Sequence, residues 1–258
     1  MDYVIVIPAR FSSERLPGKM LRDIAGKPLL QHTWEGAQAA SAREVIIATD
    51  DERIQSCAVE FGAQVVMTSR DHVSGSDRIS ECARLMSWPE DQIVVNLQGD
   101  EPLMPASCLR QVADLLMRHP EASAATLYCE IDSPADLADP NIVKVVKGIG
   151  AQALLFSRAA VPHARGYRST EDAQKAGVKW LRHLGIYAYR RRALTWFSET
   201  PPTPLETTEK LEQLRFLEHG QKMVLSRAED SIPPGVDTAE DLERVTDTLR
   251  AQSRSTGG

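Results

Sequence analysis

The sequence lacks a long apolar run, a paired-cysteine motif and an excess of positive charge. No stretch approaches the roughly 18 apolar residues of a membrane span, and the apolar run at 3–7 is too short for a signal-peptide core. The four cysteines are widely spaced and form no C-x-x-C pair, which is typical of reduced, buried and inert thiols. The formal net charge of -6 over 258 residues repels nucleic acid and anionic membranes. We therefore expect a cytoplasmic protein with no nucleic-acid partner and no membrane insertion.

The two common glycine-rich nucleotide motifs are absent as well. The sequence contains no G-x-G-x-x-G, and its Gly18 and Lys19 are followed by Met20 rather than by Ser or Thr. The absence of both motifs argues against an ordinary P-loop NTPase and against a dinucleotide-dependent oxidoreductase.

Short β-branched runs alternate with helical patterns through the first half of the chain. The predicted strands are nearly continuous apolar runs, as in a parallel sheet covered on both faces. This alternation predicts an α/β sandwich with right-handed crossovers. The predicted strands are residues 4–7, 45–48, 65–67 and 93–97, and the predicted helices are residues 28–40, 52–61, 76–86 and 107–118.

The second half is less regular. A polar stretch at 160–180 predicts an excursion from the main fold, and residues 251–258 predict a disordered tail. Thr238 is a suitable N-cap for the last helix. The predicted strands are residues 122–128, 143–146, 153–156, 184–189 and 223–226, and the predicted helices are residues 208–218 and 238–250.

A basic loop at residues 8–19 follows the first predicted strand. It carries Arg10, Arg15 and Lys19 among small residues that let backbone N–H groups point inward. Ligands of open parallel sheets bind beyond the carboxyl ends of the strands, and such a loop can hold phosphates by charge and backbone dipoles. Since the whole chain is acidic, the loop predicts a site for a small polyanion. A merely solvated basic loop is the alternative.

Two aspartates occupy positions suited to a metal ion. Asp100 follows the fourth predicted strand, beside Gly99, where a carboxylate can hold a hard cation over bound phosphates. Asp237 directly precedes the last predicted helix. It is either a second metal carboxylate or an ordinary N-terminal charge on that helix, worth about 0.5 kcal/mol.

Two further segments have the polar density of a site. Residues 68–78 combine hydroxyl groups, a glycine and Arg78 at a helix start, which suits a base or a ribose. Residues 182–187 place His183 and Tyr187 on a strand, although a purely structural role fits His183 equally well. The acidic and amide side chains downstream, on one predicted helix, are Glu209, Glu212 and Gln213.

In their order along the chain, these motifs resemble those of the 3-deoxy-D-manno-octulosonate (Kdo) cytidylyltransferases, the CMP-Kdo synthetases of lipopolysaccharide biosynthesis. The resemblance extends from Tyr3 to about Leu249. The matching motifs are IPAR at 7–10, LPGK at 16–19, ATD at 48–50, HVSGSDRISE at 72–81, NLQGDEP at 96–102, PN at 140–141, FSR at 156–158, RHLGIY at 182–187, LEQLR at 211–215 and PGVDT at 234–238.

The resemblance implies a fold, an activity and a cofactor. The implied fold is like that of nucleotide-diphospho-sugar transferases, a three-layer sandwich with a mixed, mostly parallel sheet, in a homodimer. One domain at 1–250 would contain an inserted dimerisation and sugar-binding region at about 130–220. The implied reaction transfers CMP from CTP to the anomeric hydroxyl of Kdo with Mg²⁺ and releases pyrophosphate. The 8-amino form of Kdo, or another acidic keto-sugar, is left open as the acceptor.

The resemblance also implies residue roles. Arg10 and Lys19 would hold the triphosphate, and Asp100 and Asp237 the magnesium. A non-catalytic CTP-binding module is the alternative from another class, but these four residues are all present, which argues against it. The implied cytidine contacts are Ser74, Gly75, Arg78 and Gln98. The residues implied to surround the sugar and its carboxylate are Arg15, Arg158, His183, Tyr187, Glu212 and Gln213.

Overall fold

The computed structural model describes residues 2–12, 15–72 and 74–256. Ser13 and Glu14 of the predicted basic loop, Val73 of the predicted base-binding segment, and the end of the predicted tail at 257–258 lie outside the described residues. The strands are β1 (Tyr3–Ala9), β2 (Asp23–Ile24), β3 (Lys27–Pro28), β4 (Glu44–Thr49), β5 (Gln64–Met67), β6 (Ile93–Asn96), β7 (Ala124–Ile131), β8 (Lys144–Lys147), β9 (Ala153–Ser157), β10 (Trp180–Arg190) and β11 (Met223–Arg227). The α-helices are α1 (Leu29–Gln38), α2 (Glu52–Glu60), α3 (Gly75–Leu85), α4 (Ala106–Met117), α5 (Pro134–Ala138), α6 (Thr170–Lys175), α7 (Arg191–Glu199), α8 (Pro204–Glu209), α9 (Leu214–Glu218) and α10 (Ala239–Thr256).

One mixed sheet forms the centre of the fold. Over the described residues it has nine strands, with the main order β11-β7-β10-β6-β1-β4-β5. The pairs β6/β1, β1/β4, β4/β5 and β7/β11 are parallel, whereas β10 runs antiparallel to both β6 and β7. The predicted α/β fold with a mixed, mostly parallel sheet is confirmed.

Alternate residues of β1 belong to two separate hydrophobic cores, one on each face of the sheet. Tyr3, Ile5 and Ile7 join a buried cluster with residues of α1, α2 and α4. Val4 and Val6 join a second cluster with residues of α3 and α7. Because successive side chains of a strand point to opposite faces, a strand buried on both faces must be apolar throughout. This explains the uninterrupted apolar runs of the sequence.

The region predicted as an insertion contributes a strand to the centre of the sheet. The N-terminal part of β10 pairs with β8, which in turn pairs with β9, while its C-terminal part lies between β6 and β7. A small cluster of Ile131, Leu137, Ala173 and Trp180 holds α5 and α6 beside this hairpin. The excursion predicted at 160–180 corresponds to the segment between β9 and β10, which contains α6 and ends where β10 begins at Trp180.

Two helix predictions differ from the structure. The helix predicted at 208–218 is two short helices, α8 and α9, because Lys210 adopts a left-handed conformation with φ 53° that no α-helix can contain. The last helix continues to Thr256, so that residues 251–256 are helical where the sequence predicts disorder. Within the described ranges, no helix is both long enough and apolar enough to cross a membrane.

Candidate active site

A cluster of charged side chains lies beyond the carboxyl ends of β1 and β6. The Lys19 Nζ donates to Asp100 Oδ2 at 2.5 Å, to Asp237 Oδ1 at 3.1 Å and to the carbonyl oxygen of Val236 at 3.1 Å. The exposed Arg15 reaches the other oxygen of Asp237, with Nη2 to Oδ2 at 3.1 Å. Burial disfavours the charged ammonium, but the carboxylates outweigh burial and hold the pKa of Lys19 above its ordinary value. The structure thus brings together four predicted site residues from three distant segments.

Backbone contacts fix the two aspartates relative to each other. The Val236 N–H donates to the Asp100 carbonyl oxygen at 2.8 Å. A Cβ atom at Gly235 would lie 2.9 Å from that same oxygen, so only glycine allows the segment before α10 to approach so closely. Since Asp237 follows two residues later, this contact sets the distance between the carboxylates.

Glu101 is a carboxylate that the sequence reasoning did not assign. Its Oε2 is shielded from solvent and has no hydrogen-bond partner in the described structure. Burial, together with the charges of Asp100 and Asp237, raises the pKa of Glu101 to about 8. Glu101 is therefore largely protonated at neutral pH.

A cavity of about 320 Å³ opens beside this cluster. The segment 96–101 connects the two, because Asn96 and Gln98 line the cavity and Asp100 belongs to the cluster. Gln98 donates to Asn96 through Nε2 at 3.2 Å. The full lining is Gly75, Ser76, Asn96, Gln98, Tyr187, Tyr189, Lys210, Leu211, Glu212 and Gln213.

Glu212 is the one carboxylate in the described lining of this cavity. Burial raises its pKa, while the Ser76 hydroxyl, which donates to Glu212 Oε2 at 3.0 Å, works in the opposite direction. Burial raises the pKa of Tyr187 and of Tyr189 as well, so both phenols stay neutral donors. Ser76 and Tyr189 were not assigned from the sequence, although both lie within or next to the motifs that carry the resemblance.

His183 lies behind Tyr187, with 5.3 Å between the ring centroids. Its Nε2 is 3.0 Å from the Oγ1 of the buried Thr126, and that hydroxyl also reaches the carbonyl oxygens of Leu184 and Ile186. These contacts pin the irregularity where the pairing of β10 with β7 shifts register. Burial lowers the pKa of His183 to about 3, with a smaller contribution from Arg182. The imidazole is therefore neutral.

Arg78 is buried beneath the cavity instead of lining it. Its Nη2 donates to Asp50 Oδ2 at 2.9 Å and its Nη1 to Thr68 Oγ1 at 2.5 Å. These contacts tie α3 to the carboxyl ends of β4 and β5. Of the other predicted cytidine contacts, Gly75 lies against the Gln98 amide, and Ser74 forms a capping box with Asp77 that starts α3.

Arg10, which follows β1, is partly buried and faces the charges around Arg78 and α3. Burial and the charge of Arg78 lower the pKa of Arg10, which the carboxylates of Asp50, Asp77 and Glu212 partly offset.

Arg158 contacts backbone carbonyl groups at the outer edge of the cavity. Its Nε donates to the Glu209 carbonyl oxygen at 2.7 Å and its Nη1 to that of Pro140 at 2.9 Å. The predicted contact between Arg158 and a sugar carboxylate stays a prediction. The contacts of Arg158 with Glu209 and Pro140 anchor the turn that precedes Glu212 and Gln213.

Comparison with known proteins decides the family. The cytidylyltransferase family profile matches residues 4–223. The chain is 50% identical to a 3-deoxy-manno-octulosonate cytidylyltransferase of Xanthomonas axonopodis pv. citri, over 95% of each protein. It is 47% identical to the enzyme of that name from Nitrosococcus oceani, over 99% of each protein. The chain belongs to the 3-deoxy-manno-octulosonate cytidylyltransferase family.

A solved structure agrees with this membership of the family. The structure of CMP:2-keto-3-deoxy-manno-octonic acid synthetase complexed with CTP superposes with a TM-score of 0.88 at 40% identity. The superposition covers 98% of this chain and 100% of the other. The fold is therefore that of a cytidylyltransferase.

Asp100 and Asp237 form a donor set that is suited to a magnesium ion. In the described part of the chain, no group of three or more His, Cys, Asp or Glu side chains converges on a metal site. Magnesium, however, is usually held by one or two carboxylates together with waters and substrate phosphates. Asp100 and Asp237 converge on the single ammonium of Lys19, so two carboxylate oxygens already face one cationic position. The donor set fits the ion.

Proposed function

We propose that this chain transfers CMP from CTP to the anomeric hydroxyl of Kdo, releasing pyrophosphate and giving the activated sugar for lipopolysaccharide synthesis. The observation that carries the proposal is the joining of a cation–carboxylate cluster to a polar cavity by one segment, residues 96–101. A phosphate chain and an acceptor can thus lie side by side at the carboxyl ends of the parallel strands. The high identity to proteins named for this reaction supports the same acceptor.

The cations of the basic loop would neutralise the triphosphate. Transfer to the α-phosphate needs in-line positioning and charge stabilisation more than a covalent intermediate. Arg10 and Lys19 lie at the carboxyl end of β1, where they can offset the charge that develops on the leaving pyrophosphate. The exposed guanidinium of Arg15 offers a planar fork for a carboxylate or phosphate.

Asp100 and Asp237 are the residues that would hold Mg²⁺. An ion bound there would polarise the α-phosphate and neutralise part of its charge. In the structure, the Lys19 ammonium lies between the two carboxylates and offsets their mutual repulsion.

The cavity would receive the base and the acceptor. The Gln98 amide, with Ser74 and Gly75 at the start of α3, offers hydrogen-bonding groups to the cytosine, and Arg78 supports them from below. Tyr187, Glu212 and Gln213 offer donors and acceptors to sugar hydroxyls, with neutral His183 supporting Tyr187. The 8-amino form of Kdo is the second acceptor to test, because the buried carboxylate of Glu212 is suited to an amine.

The proposal also includes a homodimer formed through the region at about 130–220 and a location in the cytoplasm. Light scattering on the purified protein tests the dimer: a mass near twice 28.5 kDa is expected. Fractionation of the source cells tests the location.

The reaction is tested by pyrophosphate release from CTP and Mg²⁺, measured with Kdo, 8-amino-Kdo, sialic acid and no sugar. We expect pyrophosphate release only in the reaction that contains Kdo. Release only with the amino sugar would keep the chemistry and change the acceptor. CTP binding without pyrophosphate release in the presence of any of these sugars would favour a non-catalytic module.

A further inference from the structure

One wall of the cavity is built on a strained turn. Lys210, between α8 and α9, has φ 53° and ψ 48°, and it lines the cavity together with the three residues that follow it. A lysine in the left-handed region costs about 1 kcal/mol or more and persists only where surrounding contacts enforce it. The contacts that hold this turn therefore decide where Glu212 and Gln213 lie.

Two sets of contacts hold this turn. The Glu206 carboxylate accepts from Arg215 Nε at 2.7 Å and joins α8 to α9 across the turn, and Glu209, the last residue of α8, joins the turn to β9. Its Oε1 accepts from the Ser157 hydroxyl at 2.6 Å, and its Oε2 accepts from the Arg158 backbone N–H at 2.9 Å. Its carbonyl oxygen accepts from Arg158 Nε at 2.7 Å. Both the side chain and the backbone of Glu209 are thus fixed to the end of β9, one residue before the strained turn.

Two cations surround this carboxylate. Arg158 also donates to the Pro140 carbonyl oxygen at 2.9 Å. Lys144, which is fully buried, donates to the carbonyl oxygens of Asp139 and Ile142 at 2.9 and 2.7 Å. Burial alone would raise the pKa of Glu209, but the hydrogen bonds from Ser157 and Arg158 and the charges of Arg158 and Lys144 lower it. The carboxylate is therefore ionised at neutral pH.

We infer that Glu209 is a positioning residue for the acceptor: with Ser157 and Arg158 it holds the wall of residues 210–213 in the geometry that binds the sugar. This accounts for the FSR motif at 156–158 and the PN motif at 140–141, to which the reaction itself assigns no chemical step. The inference rests on the proposed role of the cavity as the acceptor site.

The test compares Glu209→Ala, Glu209→Gln, Ser157→Ala and the double variant Glu209→Ala with Ser157→Ala against Glu60→Ala in the full chain. Glu60 is a matched control because it is likewise the last residue of a helix, α2, and is exposed. KM for Kdo and KM for CTP are measured separately. Trypsin cleavage after Lys210 is followed by mass spectrometry as a direct readout of the wall.

We expect Glu209→Ala to raise KM for Kdo by about tenfold to a hundredfold, since a displaced binding wall has effects of that size. KM for CTP should stay within about twofold of wild type, and cleavage after Lys210 should become faster. Glu209→Gln, which retains one acceptor, should lie between wild type and Glu209→Ala. Ser157→Ala should add little in the Glu209→Ala background, because both remove the same contact.

Three results would overturn the inference: an unchanged KM for Kdo with unchanged cleavage in folded Glu209→Ala, an equal rise in both KM values, or full additivity with Ser157→Ala. If Glu209→Ala does not fold, Glu209→Gln and Ser157→Ala decide by the same criteria. A wild-type protein that is inactive with Kdo would refute the proposed function, whereas the cleavage rates would still test whether Glu209 holds the wall.

Discussion

The buried carboxyl group of Glu101 predicts an unusual dependence of stability on pH. The pKa of Glu101 is raised from 4.5 to about 8 by burial and by Asp100 and Asp237. The carboxylate form is therefore disfavoured in the folded state, and unfolding at neutral pH releases a proton. The unfolded chain binds fewer protons than the folded one between these two pKa values, so stability must fall as pH rises through this window.

The magnitude follows from the displacement of the pKa. At about 1.4 kcal/mol per pH unit, the full effect above pH 8 is about 5 kcal/mol. From pH 6 to pH 8, ionisation of Glu101 should cost the folded protein about 2 to 3 kcal/mol. Glu101→Gln keeps the size of the side chain but replaces the ionisable carboxyl group with an amide, so this variant should lack that part of the pH dependence.

The assay is urea unfolding of the chelator-treated protein at half-unit steps from pH 5 to pH 9, with Glu171→Gln as an exposed control. The difference in unfolding free energy between Glu101→Gln and wild type should grow in favour of the variant by about 2 to 3 kcal/mol from pH 6 to pH 8. If the unfolding free energies of Glu101→Gln and wild type instead change in parallel from pH 6 to pH 8, Glu101 ionises normally and the reasoning is refuted.

Three further predictions concern other charged or titratable groups. Asp100→Asn should keep the fold, judged by circular dichroism, and lose turnover by about a hundredfold or more; normal magnesium-dependent pyrophosphate release in this variant would contradict the metal assignment. The ring of His183, with its pKa near 3, should show no NMR titration between pH 5 and pH 8. Because unfolding would let this imidazole take up a proton, its contribution to stability should decrease as pH falls below about 6.5. Arg78→Met should lower the unfolding free energy by about 1 to 3 kcal/mol, because the partly buried Asp50 carboxylate loses its charged partner; full stability with lost CTP affinity would instead show that Arg78 binds the cytidine.

The fold could be predicted because its signals are local. The inner strands of the parallel half, β1, β4 and β6, are buried on both faces, so a short apolar run suffices to identify each of them, as at residues 4–7 and 93–97. The break at Lys210 could not be predicted, because lysine favours a helix, whereas the left-handed turn depends on tertiary contacts such as those with Ser157 and Arg158, some fifty residues earlier.

The site could be predicted only in part for the same reason. Lys19 lies in the loop after the first predicted strand, Asp100 follows the fourth predicted strand and Asp237 precedes the last predicted helix, so their type and place suggested phosphate and metal binding. That the ammonium lies between both carboxylates depends on the close approach of Gly235 to Asp100. The structural contacts of Arg78 and Arg158 likewise depend on partners from remote segments, which no local pattern shows.

The arrangement of the site explains why positions so far apart in the sequence must stay together. Asn96, Gln98 and Asp100 belong to one continuous segment, so any movement of that segment displaces the cavity and the charged cluster together. The Thr33 hydroxyl donates to the Gly99 carbonyl oxygen at 2.9 Å, and Val236 N–H donates to that of Asp100, which fixes the segment from two sides. An in-line transfer tolerates little error in the distance between its two substrates. Placing both binding regions on one anchored strand end makes that distance a property of the sheet. The wall at residues 210–213 lies on a separate element, where two side chains of α8 hold it: Glu209 through Ser157 and Arg158, and Glu206 through Arg215.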